Sequence, residues 1–414
     1  MSPFGARYRQ SFRKLVSRVG GFQAEQTALS EALRNAEKET TDAAETIRDL
    51  RVELLRSAMR HRPAPQLLGE PDRSTTEIFP VDADLVARII ASYKLANQTD
   101  FGSPESMWFT ELAAPKKSVH DALVLGDVEE VTSILRDPSK SALFFGFENT
   151  YSATLPRDRS LEDFWGFEAS YDTLRRLGEA VGVFRVENAE SFFYGTRIVP
   201  VSSDHILDIL DNHFGFRISF PNPYADEYGL KTSRGVATYR AIQGIFQAKR
   251  IAELLKGRHK TKIVEIGGGL GRTAYYANQF GFDDYLLIDL PLTSAAQAYF
   301  LGRTLGQERI CLFGETGPGI KIMPPTAFLD NNDRYDLAVN VDSFTEMASE
   351  TAREYCQAIK ARADLFLSIN HEGNPFTVGE LCLALDFPAS FRNPYWLRRG
   401  YVEETFQIVH SRRV

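Results

Sequence analysis

Ile263-Val264-Glu265-Ile266-Gly267-Gly268-Gly269-Leu270-Gly271 decides how the rest of this chain is read. The apolar run before the glycines is a short buried strand. The residues that follow, Arg272-Thr273-Ala274-Tyr275-Tyr276-Ala277, read as a helix. Gly267 and Gly269 remove side chains where backbone approaches a ligand, and Gly271 permits close packing at the turn. Amides at the helix start then point toward whatever binds. The next apolar run, Tyr285-Leu286-Leu287-Ile288, ends at Asp289, 22 residues after Gly267. That is the spacing of a carboxylate that accepts both hydroxyls of a ribose. A glycine-rich turn without a ligand is the plainer alternative. The strand before, the helix after and the acid on the second strand favour an adenosine-containing cofactor.

What the motif lacks narrows the choice of cofactor. A dinucleotide fingerprint places its third glycine where this chain has Arg272. A phosphate-binding loop for ATP needs a following Gly-Lys-Ser/Thr, which is missing. The run here is instead Gly267, Gly269, Gly271 behind Glu265, which leaves an NAD-linked oxidoreductase as a weaker reading.

Outward from the motif, strands and helices alternate. Gly271 to Gly281 is a helix, Asp284 to Leu290 a strand, and Leu292 to Gly306 a helix. Glu308 to Phe313 is read as the third strand of the series, Tyr335 to Val341 as the fourth, and Asp364 to Asn370 as the fifth, after a helix at Ser349 to Arg362. Such alternation builds an open parallel sheet with crossover helices. The tail from Phe391 to Arg413 has room for two antiparallel strands that close many such sheets. Val236 to Gly257 is a helix that feeds the glycine motif and bridges the two halves of the chain.

The first half reads differently. Gln23 to Arg60 lacks proline and glycine and has helical spacing, as a long amphipathic helix or a broken pair. Residues 61 to 80 are a proline-rich break; 82 to 97, 121 to 135, 161 to 184 and 203 to 210 read as helices. No alternation there predicts a sheet. A length of 414 residues argues for two domains. We place a mostly helical N-terminal and lid region at 1–235 and an α/β core at 236–414.

Composition excludes several classes. With 43% hydrophobic and 25% charged residues the chain is ordinary globular material. A formal net charge of -7 disfavours a nucleic-acid partner. Three scattered cysteines, Cys311, Cys356 and Cys382, suit neither a disulfide scaffold nor a zinc cluster, and point to a reducing, cytoplasmic setting. No apolar run spans a bilayer. Arg7, Arg9, Arg13, Lys14 and Arg18 alternate with apolar residues near the N-terminus. Peripheral contact with an acidic lipid or a partner and a simple solvated helix face are both open readings. So is packing of the 23–60 helix against a second subunit, as in a homodimer.

At this point the chain resembles a known family. Glu265 to Gly271 is similar to the first motif of class I S-adenosylmethionine-dependent methyltransferases, and Asp289 to their acid after the second strand. Together with Tyr285 to Pro291, Asn340 to Met347 (NVDSFTEM) and Ser368 to Asn374 (SINHEGN), the pattern over about residues 210 to 410 resembles the sugar O-methyltransferases. These are bacterial proteins with a helical extension before the core. The resemblance implies an α/β, Rossmann-like class I methyltransferase core behind a mostly helical N-terminal domain, S-adenosylmethionine as cofactor, and a saccharide hydroxyl as acceptor.

By that resemblance Gly267, Gly268, Gly269 and Gly271 wrap the methionine part of the cofactor and Glu265 orients its amino group. Asp289 and Leu290 hold the ribose. Residues Leu312 to Glu315, Phe313 among them, flank the adenine, and Asn340 ends the fourth strand near the methyl group. Methyl transfer to a hydroxyl wants in-line positioning and a base. His371 is the first choice by its titration range, with Asp342 and Glu372 as alternatives or as groups that orient it. A capping role for His371 and Glu372 is the plainer reading. Asp342, Glu346 and Glu372 would bind a divalent cation if they converged, although none is expected. His213, Tyr224, Lys231, Arg234, Glu346, Asn374 and Arg392 are acceptor candidates, since aromatic faces suit sugar rings and arginine suits phosphate. A small non-sugar acceptor and a non-catalytic cofactor-binding protein are the alternatives.

Overall fold

The computed structural model describes residues 28–29, 31–32, 50, 71–73, 83–97, 113–137, 163–186, 201–224, 227–388 and 390–408. The basic N-terminal segment and nearly all of the 23–60 helix lie outside them. In chain order the elements are β1 (Pro71–Arg73), α1 (Ala83–Ala96), α2 (Ala113–Leu125), α3 (Val128–Arg136), α4 (Ala169–Ala180), α5 (Ser203–Phe214), β2 (Tyr228–Thr232), β3 (Gly235–Ala237) and α6 (Tyr239–Leu254). There follow β4 (Ile263–Ile266), α7 (Arg272–Gln279), β5 (Tyr285–Ile288), α8 (Pro291–Leu305), β6 (Ile310–Leu312), β7 (Ile320–Met323), α9 (Thr326–Leu329) and β8 (Tyr335–Val341). The chain ends with α10 (Ser349–Arg362), β9 (Ala363–His371), α11 (Val378–Ala384), β10 (Ser390–Pro394) and β11 (Tyr401–Gln407).

Eight strands form one sheet in the order β10-β11-β9-β8-β4-β5-β7-β6. Six pair in parallel, from β9 to β6, and the β10–β11 hairpin closes one edge antiparallel. All four residues of β4 and of β5 are buried, as strands covered on both faces require. The chain runs outward from β4 through β5 and returns to β8 on the other side of β4. The crevice beyond the carboxyl ends of β4 and β8 is therefore a topological switch point, where open α/β sheets bind ligands. This is a Rossmann-like α/β core carrying a helical extension, the fold class that the sequence pattern implies.

Two readings of the sequence are corrected in the core. Ile310–Leu312 is the outermost strand, and β7, which the sequence reading lacked, lies between it and β5. Ile320-Lys321-Ile322-Met323 is too short a run to stand out between turn-rich neighbours. In the N-terminal half, the expected helix at 121–135 is two helices. Gly126 takes φ 83°, and Asp127 caps α3 by accepting from Glu129 and Glu130 N–H at 2.9 and 3.1 Å. A three-stranded antiparallel sheet, β1-β2-β3, also forms where no sheet was expected.

The extension is fastened to the core. Leu85 of α1 packs against Gly302 of α8, where an added Cβ would stand 2.9 Å from both Leu85 methyl carbons. Arg88 grips Glu315 with two 2.7 Å bonds and donates to the Gln307 and Ile310 carbonyls at 2.7 and 3.0 Å. That clamp also covers backbone of the sheet's outer strand. Buried Arg272 pairs with buried Glu227, which Asn222 also contacts, tying the approach to β2 to the start of α7. Thr238 caps α6 by accepting from Ala241 N–H, and Gly244 lets α6 approach the backbone of Arg272.

Candidate functional site

The loop after β4 holds Gly267, Gly269 and Gly271 at φ 72°, 56° and 87°. Side chains there would be strained, and a Cβ at Gly267 would also stand 2.5 Å from Ser343 Cβ. The turn is closed by Gly271 N–H donating to the Gly268 carbonyl at 2.9 Å. Gly267 N–H reaches the Ile288 carbonyl at 2.8 Å, which joins the loop to the end of β5.

Asp289 stands at that end. Its carboxylate accepts from Gly269 N–H at 3.2 Å, Leu290 N–H at 2.8 Å and Gln297 Nε2 at 2.9 Å. Leu290 precedes Pro291 as the cap position of α8. Burial pushes the Asp289 carboxyl up to about 7 despite those bonds and the Lys116 ammonium. Glu265 is 1% exposed and accepts from Tyr285 OH at 2.9 Å. Burial raises it too, to about 7, with Asp289 adding to the effect. Two buried acids thus frame the glycine loop. A pyrophosphate would meet repulsion there, whereas an ammonium or sulfonium would gain charge partners.

A narrow cleft opens past the end of β5. Pro291, Ser294, Phe313, Met323 and Pro324 line its core side, and Ile89 and Tyr93 of α1 line the other. Phe313 therefore borders it. Met323 and Pro324, at the end of β7, were missed because that strand was missed. Glu315 is occupied by Arg88.

At the ends of β8 and β9 the polar residues divide into two groups. Asn340 is fully buried; its amide donates to the Ile266 carbonyl at 2.9 Å and to Ser343 Oγ at 2.5 Å, while its oxygen accepts from Asn370 Nδ2 at 2.9 Å. It ties three strand ends together behind the glycine loop. Asp342, held at φ 57°, is the second centre. It accepts from Arg398 Nη1 at 3.0 Å and Tyr401 OH at 2.7 Å, and His371 Nε2 lies 3.8 Å away. A non-glycine residue at this φ stores strain that clusters at functional sites. The β9–β11 register sets Tyr401 directly opposite His371, with their rings edge to face at 5.5 Å. Arg398 stacks on Tyr401 at 3.9 Å. His371 Nδ1 accepts from Gly373 N–H at 3.2 Å, so neutral His371 carries its proton on Nε2, facing Asp342.

The remaining candidates are dispersed. Arg392 binds Glu372 through two bonds of 2.9 and 2.8 Å and holds that carboxyl below the usual range, so the pair satisfies itself at the surface. Asn374 donates to the Thr345 carbonyl at 2.7 Å, and Glu346 ends a short 3-10 turn. Tyr224, expected in a lid, is a core residue at 2% exposure with its hydroxyl on the Ala296 carbonyl at 3.3 Å. Arg234 is buried between Asp208 and Asp211, where it locks α5 to the β2–β3 hairpin. His213 lies in the last turn of α5 against Phe214, and Lys231 is on β2. Among the described residues no three His, Cys, Asp or Glu side chains gather as a metal site, so Asp342, Glu346 and Glu372 do not converge. No described helix is long and apolar enough to cross a membrane.

No protein-family model matches the chain, and no curated protein matches it. Solved structures with a similar fold include the magnesium protoporphyrin IX methyltransferase of Synechocystis, 12% identical over 41% of this chain and 83% of that one, at a TM-score of 0.31. The ribosomal protein L11 methylase of Lactobacillus delbrueckii subsp. bulgaricus is 11% identical over 42% and 80%, at 0.30. A glycopeptide N-methyltransferase is 12% identical over 40% and 96%, at 0.33. Likeness at this level carries no argument; the fold rests on the strand order.

Proposed function

We propose that the protein is an S-adenosylmethionine-dependent methyltransferase that methylates a hydroxyl of a saccharide, free or on a nucleotide or lipid carrier. The observation that carries the cofactor is the three-glycine loop at the switch point, framed by the buried acids Glu265 and Asp289. In this reading Glu265 meets the cofactor's ammonium, Asp289 takes the ribose hydroxyls, and the cleft between Pro291, Met323 and Pro324 takes the adenine. The sulfonium then faces the polar end of β8. The saccharide acceptor rests on the resemblance carried by NVDSFTEM and SINHEGN.

The acceptor hydroxyl is assigned to the Asp342–His371 pair. His371 becomes the base when the loop at Gly373 releases Nδ1; until then its lone pair is held by an amide. Arg398 and Tyr401 hold Asp342 in place. Transfer of labelled methyl from S-adenosylmethionine to a panel of nucleotide sugars and glycolipid extracts tests the acceptor class. Labelling confined to non-sugar metabolites would reject it. In the same assay His371→Ala should keep cofactor affinity and lose turnover by at least about a hundredfold, the usual worth of a general base; unchanged turnover removes His371 from the mechanism.

A further inference from the structure

Beyond its first turn α8 is buried almost all round, and alanine, tyrosine, phenylalanine and leucine fill its inward positions. Gln297 interrupts that apolar set and is 0% exposed. Helical side chains lean toward the helix N-terminus, and this one reaches back to the acid that precedes α8. Its Nε2 donates to Asp289 Oδ2 at 2.9 Å. Its Oε1 is buried as well and takes no hydrogen bond among the described residues. A buried amide with a bare acceptor costs stability, and a methionine of similar length would fill the position without that cost. Packing alone therefore gives no reason for a glutamine here, whereas the bond to Asp289 does.

The rest of the carboxylate shows what that bond adds. Oδ1 accepts from Leu290 N–H at 2.8 Å. Oδ2 accepts from Gly269 N–H at the longer distance of 3.2 Å, and that donor sits on the three-glycine loop. The last torsion of an aspartate is broad, so its partners decide which way the two oxygens face. Gln297 supplies a donor to Oδ2 from inside a packed helix.

We propose that Gln297 is a positioning residue for the cofactor, which holds the Asp289 carboxylate turned so that its oxygens meet the ribose hydroxyls. This rests on the cofactor reading given above and adds to it a buried side chain that acts through Asp289.

The test is calorimetric titration of the full chain with S-adenosylhomocysteine and with its 2′-deoxy and 3′-deoxy analogues, for wild type and Gln297→Met. A hydrogen bond to a charged group is worth about tenfold or more in affinity. Wild type should therefore prefer S-adenosylhomocysteine to at least one deoxy analogue by about tenfold. Gln297→Met should raise Kd for S-adenosylhomocysteine about tenfold and for that analogue by less than about threefold, so the preference collapses. A merely structural residue would weaken all three ligands alike and leave the preference in place. Thermal melting monitors folding, and Gln297→Leu takes the place of Gln297→Met if the latter does not fold. Unchanged affinity in the variant, or an equal loss for all three ligands, overturns the inference and leaves the cofactor reading standing. Wild type that binds the three ligands equally well also overturns the inference. Wild type that binds none of them overturns both.

Discussion

Binding of S-adenosylmethionine should expel protons, and the number can be worked from the site. Glu265 and Asp289 are each pushed up to about 7 by burial. At pH 6.5 a carboxyl with that value is about three-quarters protonated. A cation or a set of donors against a carboxylate lowers it by roughly 1–3 units, which leaves it almost wholly ionised in the complex. Each acid would then release about 0.7 proton, and the two together somewhat more than one, allowing for their mutual repulsion. The sign follows: the bound state holds fewer protons, so affinity rises with pH up to about 7. Titrations at pH 6.5 in buffers of different ionisation enthalpy read the number as the slope of observed heat against buffer enthalpy. A slope near zero, with binding intact, would show that neither acid meets the cofactor in the proposed way.

Three further outcomes follow from the same geometry. Glu265→Gln should weaken cofactor binding at least about tenfold, since a charge-assisted bond is worth roughly 1.5–3 kcal/mol. It should also flatten the stability–pH curve of the ligand-free protein: the raised carboxyl favours the folded state below about pH 4, a contribution lost as pH rises through about 7. Denaturant unfolding at pH 4.5 and 7.5 checks this, and a parallel pH dependence in the variant would contradict it. Tyr401→Phe removes the 2.7 Å bond to Asp342 and should cost about 1 kcal/mol of stability and lower kcat with homocysteine-product affinity unchanged; an equal fall in both would place Tyr401 with the cofactor instead. Gly267→Ala should abolish binding, and adding Ser343→Ala should not restore it, because Ser343 Cβ itself obstructs the site at 2.5 Å and the φ of 72° remains. Rescue by the second substitution would locate the conflict in the hydroxyl alone.

The parts legible in the sequence were those written locally. An apolar strand, three glycines and a helix need only adjacent residues, and Asp289 needs only one crossover of ordinary length. What was missed depends on pairing between distant segments. Tyr401 looked like one more strand aromatic until the antiparallel register set it against His371 and within reach of Asp342. Gln297 carried no signal, since one polar residue on a helix looks like another; only tertiary packing buries it against Asp289. Arg234 and Arg392 erred the other way. Both suited an anionic acceptor, but Asp208 and Asp211 take the first and Glu372 the second. Opposite charges far apart in sequence cannot be matched before the fold is known.

The central claim is that the glycine loop, Glu265 and Asp289 form a site for S-adenosylmethionine. Calorimetric titration of the purified full chain with S-adenosylmethionine, S-adenosylhomocysteine and NAD tests it most directly. The account requires saturable binding of both sulfur compounds and none of NAD. Binding of NAD alone, or no binding by either sulfur compound in folded protein, would contradict it.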